Sequence, residues 1–328
     1  MIKSLVKYLL VALTVIGFMP GKESIAGQPF MLATAGTGGT YYVIGGAMAD
    51  VMRKFDNTKV TPLTTNGSIE NLRLVSGKRV AIGFSTPDLA YYAYNGTEMY
   101  KEGGKLDNLR YVGGGHMGAM QVVVPSNSPV KQIADLKGKK VAVGAQGSAV
   151  LTLSLDVLAV DGLEITDIKP AYLSMSEMTE ALQDGVVDAA IYSAGVPTSS
   201  ITNIFSRKDM RIIPYSEKKV KTYLAKRGPE KKALLKPYTL PAKTYSGQNE
   251  AVPCMAFRAC LVAHKDVPDA LIYSFLKTIE GHVVDLKRVH PSGAEYTLTQ
   301  LEQGAAIPLH PGAAKFYAEK GVKIEIIK

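Results

Sequence analysis

The chain states its design twice, 108 residues apart. Gly36, Gly39 and Thr40 are echoed by Gly144, Gly147 and Ser148. "SIENLRLVSG" (68–77) is echoed by "SEMTEALQDG" (176–185), and "GKRVAIGFS" (77–85) by "GVVDAAIYS" (185–193). Chance accounts for one such match; four in register predict two lobes of the same topology. Each copy reads as strand, Gly loop, helix, strand, capped helix, strand and a Ser-containing loop. The strands come from the apolar runs "FMLATA" and "KVAV". The first helix is amphipathic, with Ile44, Ala47, Met48, Val51, Met52 and Phe55 on one face. Ser68 and Ser176 are the expected caps of the next helix in each copy. Strands alternating with helices predict an α/β fold of two similar lobes, each with a mostly parallel sheet. Ligands of such sheets bind at the carboxyl ends of the strands, here a cleft between the lobes.

Gly36, Gly38 and Gly39 stand where the first strand hands over to its helix, within "MLATAGTGGTYYVIGGAMADVMRKF" (31–55). A Gly-rich loop at the positive end of a helix holds an anion on backbone N–H groups. Nucleotide phosphate is excluded as that anion. No Lys follows these glycines before Lys54, as a P-loop requires, and Tyr41 stands where GxGxxG needs its third glycine. The N–H groups of Gly38, Gly39 and Thr40 are the expected anion donors. Around them the strand ends place the hydroxyls of Thr37, Thr40, Ser85, Ser148 and Ser193 and the amides of Asn66 and Gln146. Ser68, Gly147, Gly195 and Pro197 complete the candidate cleft, and Tyr41 could cover a ligand with its ring. For Ser85 and Ser193, helix capping is an equal alternative. No Arg or Lys lies in these loops, so no guanidinium clamp is expected; no acidic residue stands at 193 to meet an ammonium group.

Lys3 and Lys7 precede an apolar run, Tyr8 to Met19, and "SIA" follows at 24–26. That is the layout of a secretory signal peptide over 1–26, cleaved after Ala26. The run is about a dozen residues, short of the ~20 a bilayer span needs. Past residue 26 there remain 35 basic and 28 acidic side chains. The densest basic run, "EKKVKTYLAKRGPEKKALLK" (217–236), alternates with apolar residues as a solvated helix face does, so nucleic acid is not an expected partner. An exported, periplasmic, monomeric protein that is not itself membrane-embedded is expected.

"VPCMAFRACLVAH" reads as one strand that holds Cys254 and Cys260 about 20 Å apart, beyond disulfide reach. The five His residues (116, 264, 282, 290, 310) show no metal-ligand spacing, and no GxSxG elbow occurs. No cofactor, metal or catalytic residue is therefore expected. An enzyme on the same two-lobe fold, acting on a small carboxylate, is the alternative. Crossings between the lobes are expected near 120–129 and 239–253, giving a first lobe of 27–121 plus 246–328 and a second of 122–245.

"GTGGTYY", "GSIENLRLVSG", "AYYAYNG", "IADLKGKKVAVG" and "IPLHPGAAKFYAEKG" together resemble the TAXI family of solute receptors, the binding subunits of one branch of TRAP transporters. The resemblance spans nearly the whole mature chain and departs from the family's pattern at "GGGHMGAM" (113–120) and at Gln146. It implies a type II periplasmic-binding-protein fold. It further implies a receptor that delivers a small organic acid, glutamate or a related dicarboxylate such as 2-oxoglutarate, to an ion-gradient-driven TRAP permease.

Overall fold

The apolar run before each Gly loop is a strand: Phe30–Ala33 (β1) and Lys140–Ala142 (β5). Each leads into a helix, Thr40–Phe55 (α1) and Ala149–Val160 (α4). The structure, a computed structural model, describes residues 28–228, 231 and 234–327. The leader expected at 1–26 lies outside the described residues.

Each repeat continues as its spacing predicts. The first runs through β2 (Val60–Leu63), α2 (Ser68–Ser76), β3 (Ile82–Ser85) and α3 (Pro87–Asn95). The second runs through β6 (Lys169–Ala171), α5 (Met175–Gln183), β7 (Ala189–Gly195) and α6 (Ser199–Arg207). After the first repeat comes β4 (Leu109–Pro125). After the second come β8 (Met210–Ile213), α7 (Glu217–Ala225), β9 (Leu235–Leu240) and β10 (Val252–His264). In the first unit β2, β1 and β3 are parallel neighbours, followed by antiparallel β10 and then β4. In the second, β6, β5 and β7 are parallel neighbours, followed by antiparallel β4 and then β8. The same strand order therefore occurs twice, in two lobes.

Two strands run through both halves of the sheet. Gly118 of β4 is in register with Phe257 of β10 and also with Gly195 of β7. Val252 to Phe257 of β10 pair with β9, whereas Cys260 to Ala263 pair with β3. The loop 241–251 turns β9 back onto β10, so the chain passes between the lobes inside hydrogen-bonded strands. Four glycines allow β4 to be packed from both sides. A Cβ on Gly114 would lie 2.3 Å from the Gln300 carbonyl, and one on Gly118 2.3 Å from the Phe257 ring.

The buried face of α1 is Ile44, Ala47, Met48, Val51 and Met52, as its period predicts. Phe55 departs from that pattern. It stays 41% exposed and stacks on His282 at 3.5 Å. Two caps also differ from expectation. Gly67 caps α2, at φ +114, where a side chain would be strained. Ser174 caps α5, because it forms a reciprocal capping box with Glu177 and leaves Ser176 inside the first turn. Cys254 and Cys260 are free and buried, in one strand as expected. The lysines of α7 face solvent while Val220 and Tyr223 pack inward. Among the described residues, no helix is long and apolar enough to cross a membrane.

Candidate ligand-binding cleft

Four helix N-termini, two from each repeat, converge on one cavity of ≈ 70 Å³ that opens to solvent. Their N-caps, Gly39 of α1, Gly67 of α2, Ser148 of α4 and Ser174 of α5, all line it. The first-turn N–H groups of a helix have no intrahelical acceptor and carry the positive end of its dipole. Some of these groups already have acceptors: Tyr42 N donates to the Gly39 carbonyl, Ile69 N to that of Gly147, Leu151 N to Ser148 Oγ and Glu177 N to Ser174 Oγ, and the expected donor Gly39 N to the Gly36 carbonyl. Among the described residues, no Lys, Arg, Asp or Glu stands in the lining.

The side chains divide by how well they are satisfied. Thr65 donates to Asn71 Oδ1 at 2.6 Å, and Ser148 donates to the Ala145 carbonyl at 2.6 Å while accepting from Leu151 N at 3.2 Å. Both are occupied in holding their loops. Ser68 and Ser193 are also lining residues. Both residues are buried, 1% and 6% exposed, and neither hydroxyl has a partner within the protein. These hydroxyls are two of several buried side-chain polar atoms without a partner in the protein, and the ones that belong to cavity-lining residues.

Tyr41 and His116 form the cavity floor. The Tyr41 ring stacks on Phe84 at 4.8 Å, and its hydroxyl donates to the Ser85 carbonyl at 3.0 Å. His116 meets Tyr41 edge-on at 5.7 Å, and its Nδ1 lies 2.9 Å from the Tyr296 hydroxyl. Burial, reinforced by His290 and Arg258, pushes the His116 imidazole down to about 3, so it is neutral. Val150, Leu173, Met175, Ala194 and Phe257 supply an apolar wall.

Seven of the residues expected from sequence lie on this wall: Gly39, Thr40, Tyr41, Asn66, Ser68, Ser148 and Ser193. The others lie off it. Thr37 and Gln146 are exposed on the crests of their loops. Ser85 lies beneath Tyr41. Gly38, Gly147, Gly195 and Pro197 serve contacts between the lobes. The Gly38 carbonyl accepts from Ser200 Oγ at 3.1 Å, and that of Gly147 from Ile69 N at 3.1 Å. The Gly195 carbonyl accepts from Thr40 Oγ1 at 3.3 Å, and the Pro197 carbonyl lies 2.9 Å from His290 Nε2. His116, Met175 and Phe257 were not anticipated. His116 sits in "GGGHMGAM", the stretch that departs from the expected family pattern, and strand alternation there could have placed it.

One ion cluster also bridges the lobes. Lys231 Nζ lies 2.9 Å from Asp88 at the start of α3 and 2.8 Å from Asp156 on α4. Thr86 donates to Asp88 at 2.6 Å, and Tyr223 donates to Asp156 at 2.5 Å. Burial opposes the charge on Lys231, but Asp88 and Asp156 outweigh it and hold the ammonium above the usual lysine range.

Two lobes of matching strand order, joined by crossing strands and enclosing a cavity at their strand ends, constitute a type II periplasmic-binding-protein fold. The chain belongs to the NMT1-like family, whose sequence profile matches residues 32–321. An Escherichia coli K12 protein described as an aliphatic sulfonates-binding protein is 47% identical over 68 residues. That stretch spans 21% of this chain and 21% of the relative, about a fifth of its length. A solved structure from Bordetella bronchiseptica RB50 is 19% identical, aligns over 88% of each chain and has a TM-score of 0.53; it supports the fold. The periplasmic aliphatic sulphonate binding protein of Escherichia coli aligns over 92% of this chain and 96% of its own, at 20% identity and TM-score 0.47.

These findings correct the resemblance drawn from sequence. The matching profile is NMT1-like, and the Escherichia coli K12 relative is described as binding aliphatic sulfonates. Membership of the TAXI family, a TRAP permease as partner, and glutamate or a related dicarboxylate as ligand are therefore withdrawn. The physical reason lies in the motifs. "GTGGTYY" encodes a Gly loop that opens α1, and "GSIENLRLVSG" the start of α2; both specify helix starts beside a cleft without specifying a ligand or a transporter.

Proposed function

We propose that the protein is an exported, periplasmic solute receptor that captures a small aliphatic sulfonate and delivers it to the permease of an ABC importer. The observation that carries this is the meeting of four helix N-termini and two unpartnered buried hydroxyls in a cavity lined by no charged side chain. A sulfonate is ionised throughout the physiological range, offers three equivalent acceptor oxygens and has no proton to donate. It suits a site rich in donors with no carboxylate to receive a proton. Its aliphatic part suits the wall of Leu173, Met175 and Phe257. Nothing in the lining would pair with an ammonium group, so the tail carries none. The first lobe, 27–121 with 246–328, closes on the second, 122–245. The ligand leaves unchanged, which separates a receptor from an enzyme.

Calorimetric titration with ethanesulfonate tests this. One-to-one binding is expected, with Ser193→Ala weakening it by about 10- to 150-fold, as loss of a hydrogen bond to a charged acceptor does at ~1.5–3 kcal/mol. No heat and no thermal shift at millimolar ethanesulfonate would remove this assignment, and recovery of a chemically altered ligand would favour an enzyme.

A further inference from the structure

The lining includes one unbranched, flexible apolar side chain: Met175, the first residue of α5. Ala149, Ala194 and Phe257 are buried, whereas Val150, Leu173 and Met175 are half-buried and make the apolar part of the rim. Met175 also reaches across the cleft. A Cβ built on Gly39 would lie 3.5 Å from Met175 Sδ, and one on Gly38 3.4 Å from Met175 Cβ. Met175 therefore spans from the second lobe to the α1 Gly loop of the first.

We propose that Met175 is the specificity-determining residue that sets the length of aliphatic tail the receptor accepts; this rests on the sulfonate assignment above. The cavity of ≈ 70 Å³ holds about five to seven water-sized positions at ~10–15 Å³ each. A sulfonate group fills about four of them, leaving room for roughly one to three carbons. A longer tail has to leave through the rim. Val150 is β-branched and stiff, and Phe257 is held in β10 against Gly118. The thioether of Met175, with three rotatable side-chain bonds, is the part of the rim that yields or blocks.

Methane-, ethane-, propane-, butane- and hexanesulfonate titrated into the full-length protein and into Met175→Ala, Met175→Leu and Met175→Phe provide the test. The wild-type protein is expected to bind tails of one to three carbons best and hexanesulfonate at least tenfold more weakly. Met175→Ala should raise hexanesulfonate affinity at least tenfold relative to ethanesulfonate. Met175→Phe should lose propanesulfonate while keeping methanesulfonate, and Met175→Leu should keep the wild-type profile. The same tail-length profile in wild type, Ala and Phe variants overturns the role of Met175 and leaves the sulfonate assignment standing. Failure of every sulfonate to bind the wild-type protein overturns both.

Discussion

Lys231→Met isolates the one ion cluster that, among the described residues, joins the lobes. In the closed structure it leaves Asp88 and Asp156, with side chains 1% and 8% exposed, facing each other without a cation. Removing one partner of a buried ion pair costs on the order of 3–5 kcal/mol, because the remaining charge has lost both water and its counter-charge. Opening of the cleft relieves part of that cost. Asp156 stays against Tyr223 whether or not the cleft opens, but Asp88 regains water when the lobes part. The substitution therefore penalises the closed form more than the open one. A bias of ~3–4 kcal/mol lowers apparent ligand affinity by roughly two to three orders of magnitude, since binding then has to supply the closure energy. Small-angle scattering of the ligand-free protein reads the opening as a larger radius of gyration, and calorimetry reads the affinity. Lys231→Met/Asp156→Asn serves as the control: it removes the carboxylate stranded within the second lobe and should recover thermal stability without recovering affinity. Wild-type affinity and an unchanged scattering profile in Lys231→Met would refute the bridging role.

Three further outcomes are expected. The His116 imidazole, about 6.5 when unfolded and pushed down to about 3 when folded, stabilises the fold fully above pH ~6.5. That contribution is lost as pH falls toward ~3, amounting to about 4–5 kcal/mol. Denaturant midpoints measured from pH 7 to 4 should fall less steeply in His116→Gln than in wild type; equal slopes would contradict it. Gly114→Ala places a methyl against the Gln300 and Gln303 carbonyls, 2.3 and 2.6 Å away, and should destabilise by ~2–3 kcal/mol in urea unfolding, as overpacking against backbone does. Burial pushes the Cys254 thiol up to about 12 and that of Cys260 well above its usual range. Both should therefore resist a thiol reagent in the native protein and react together once it is unfolded.

Much of the architecture is written locally. A Gly loop before an amphipathic helix, repeated 108 residues on, predicts each strand-to-helix passage, because the backbone conformations it needs are set by residues a few positions apart. The cleft's donors follow, since the strand ends and helix starts are the same places. What stayed hidden depends on distant partners. Residues 109–125 hold Gly113, Gly114, Gly115 and Gly118, a density of glycine unfavourable in a strand; only the packing of Gln300, Ala259 and Phe257 against them explains their presence in one. Lys231 lies in a run of lysines that reads as a solvated face, and nothing nearby in sequence announces Asp88 or Asp156. The cap of α5 was legible as the Ser174–Glu177 spacing, but the repeat offset drew attention to Ser176 instead. Ligand class was the least legible feature, because a grip built from backbone N–H groups leaves little side-chain signature.

A crystal structure of the protein grown with ethanesulfonate tests the central claim most directly. The sulfonate oxygens are expected within hydrogen-bond distance of first-turn N–H groups of α1 and α4 and of the Ser68 and Ser193 hydroxyls, with the ethyl group against Leu173, Met175 and Phe257. A sulfonate held by a Lys or Arg side chain, or bound outside this cavity, would contradict it.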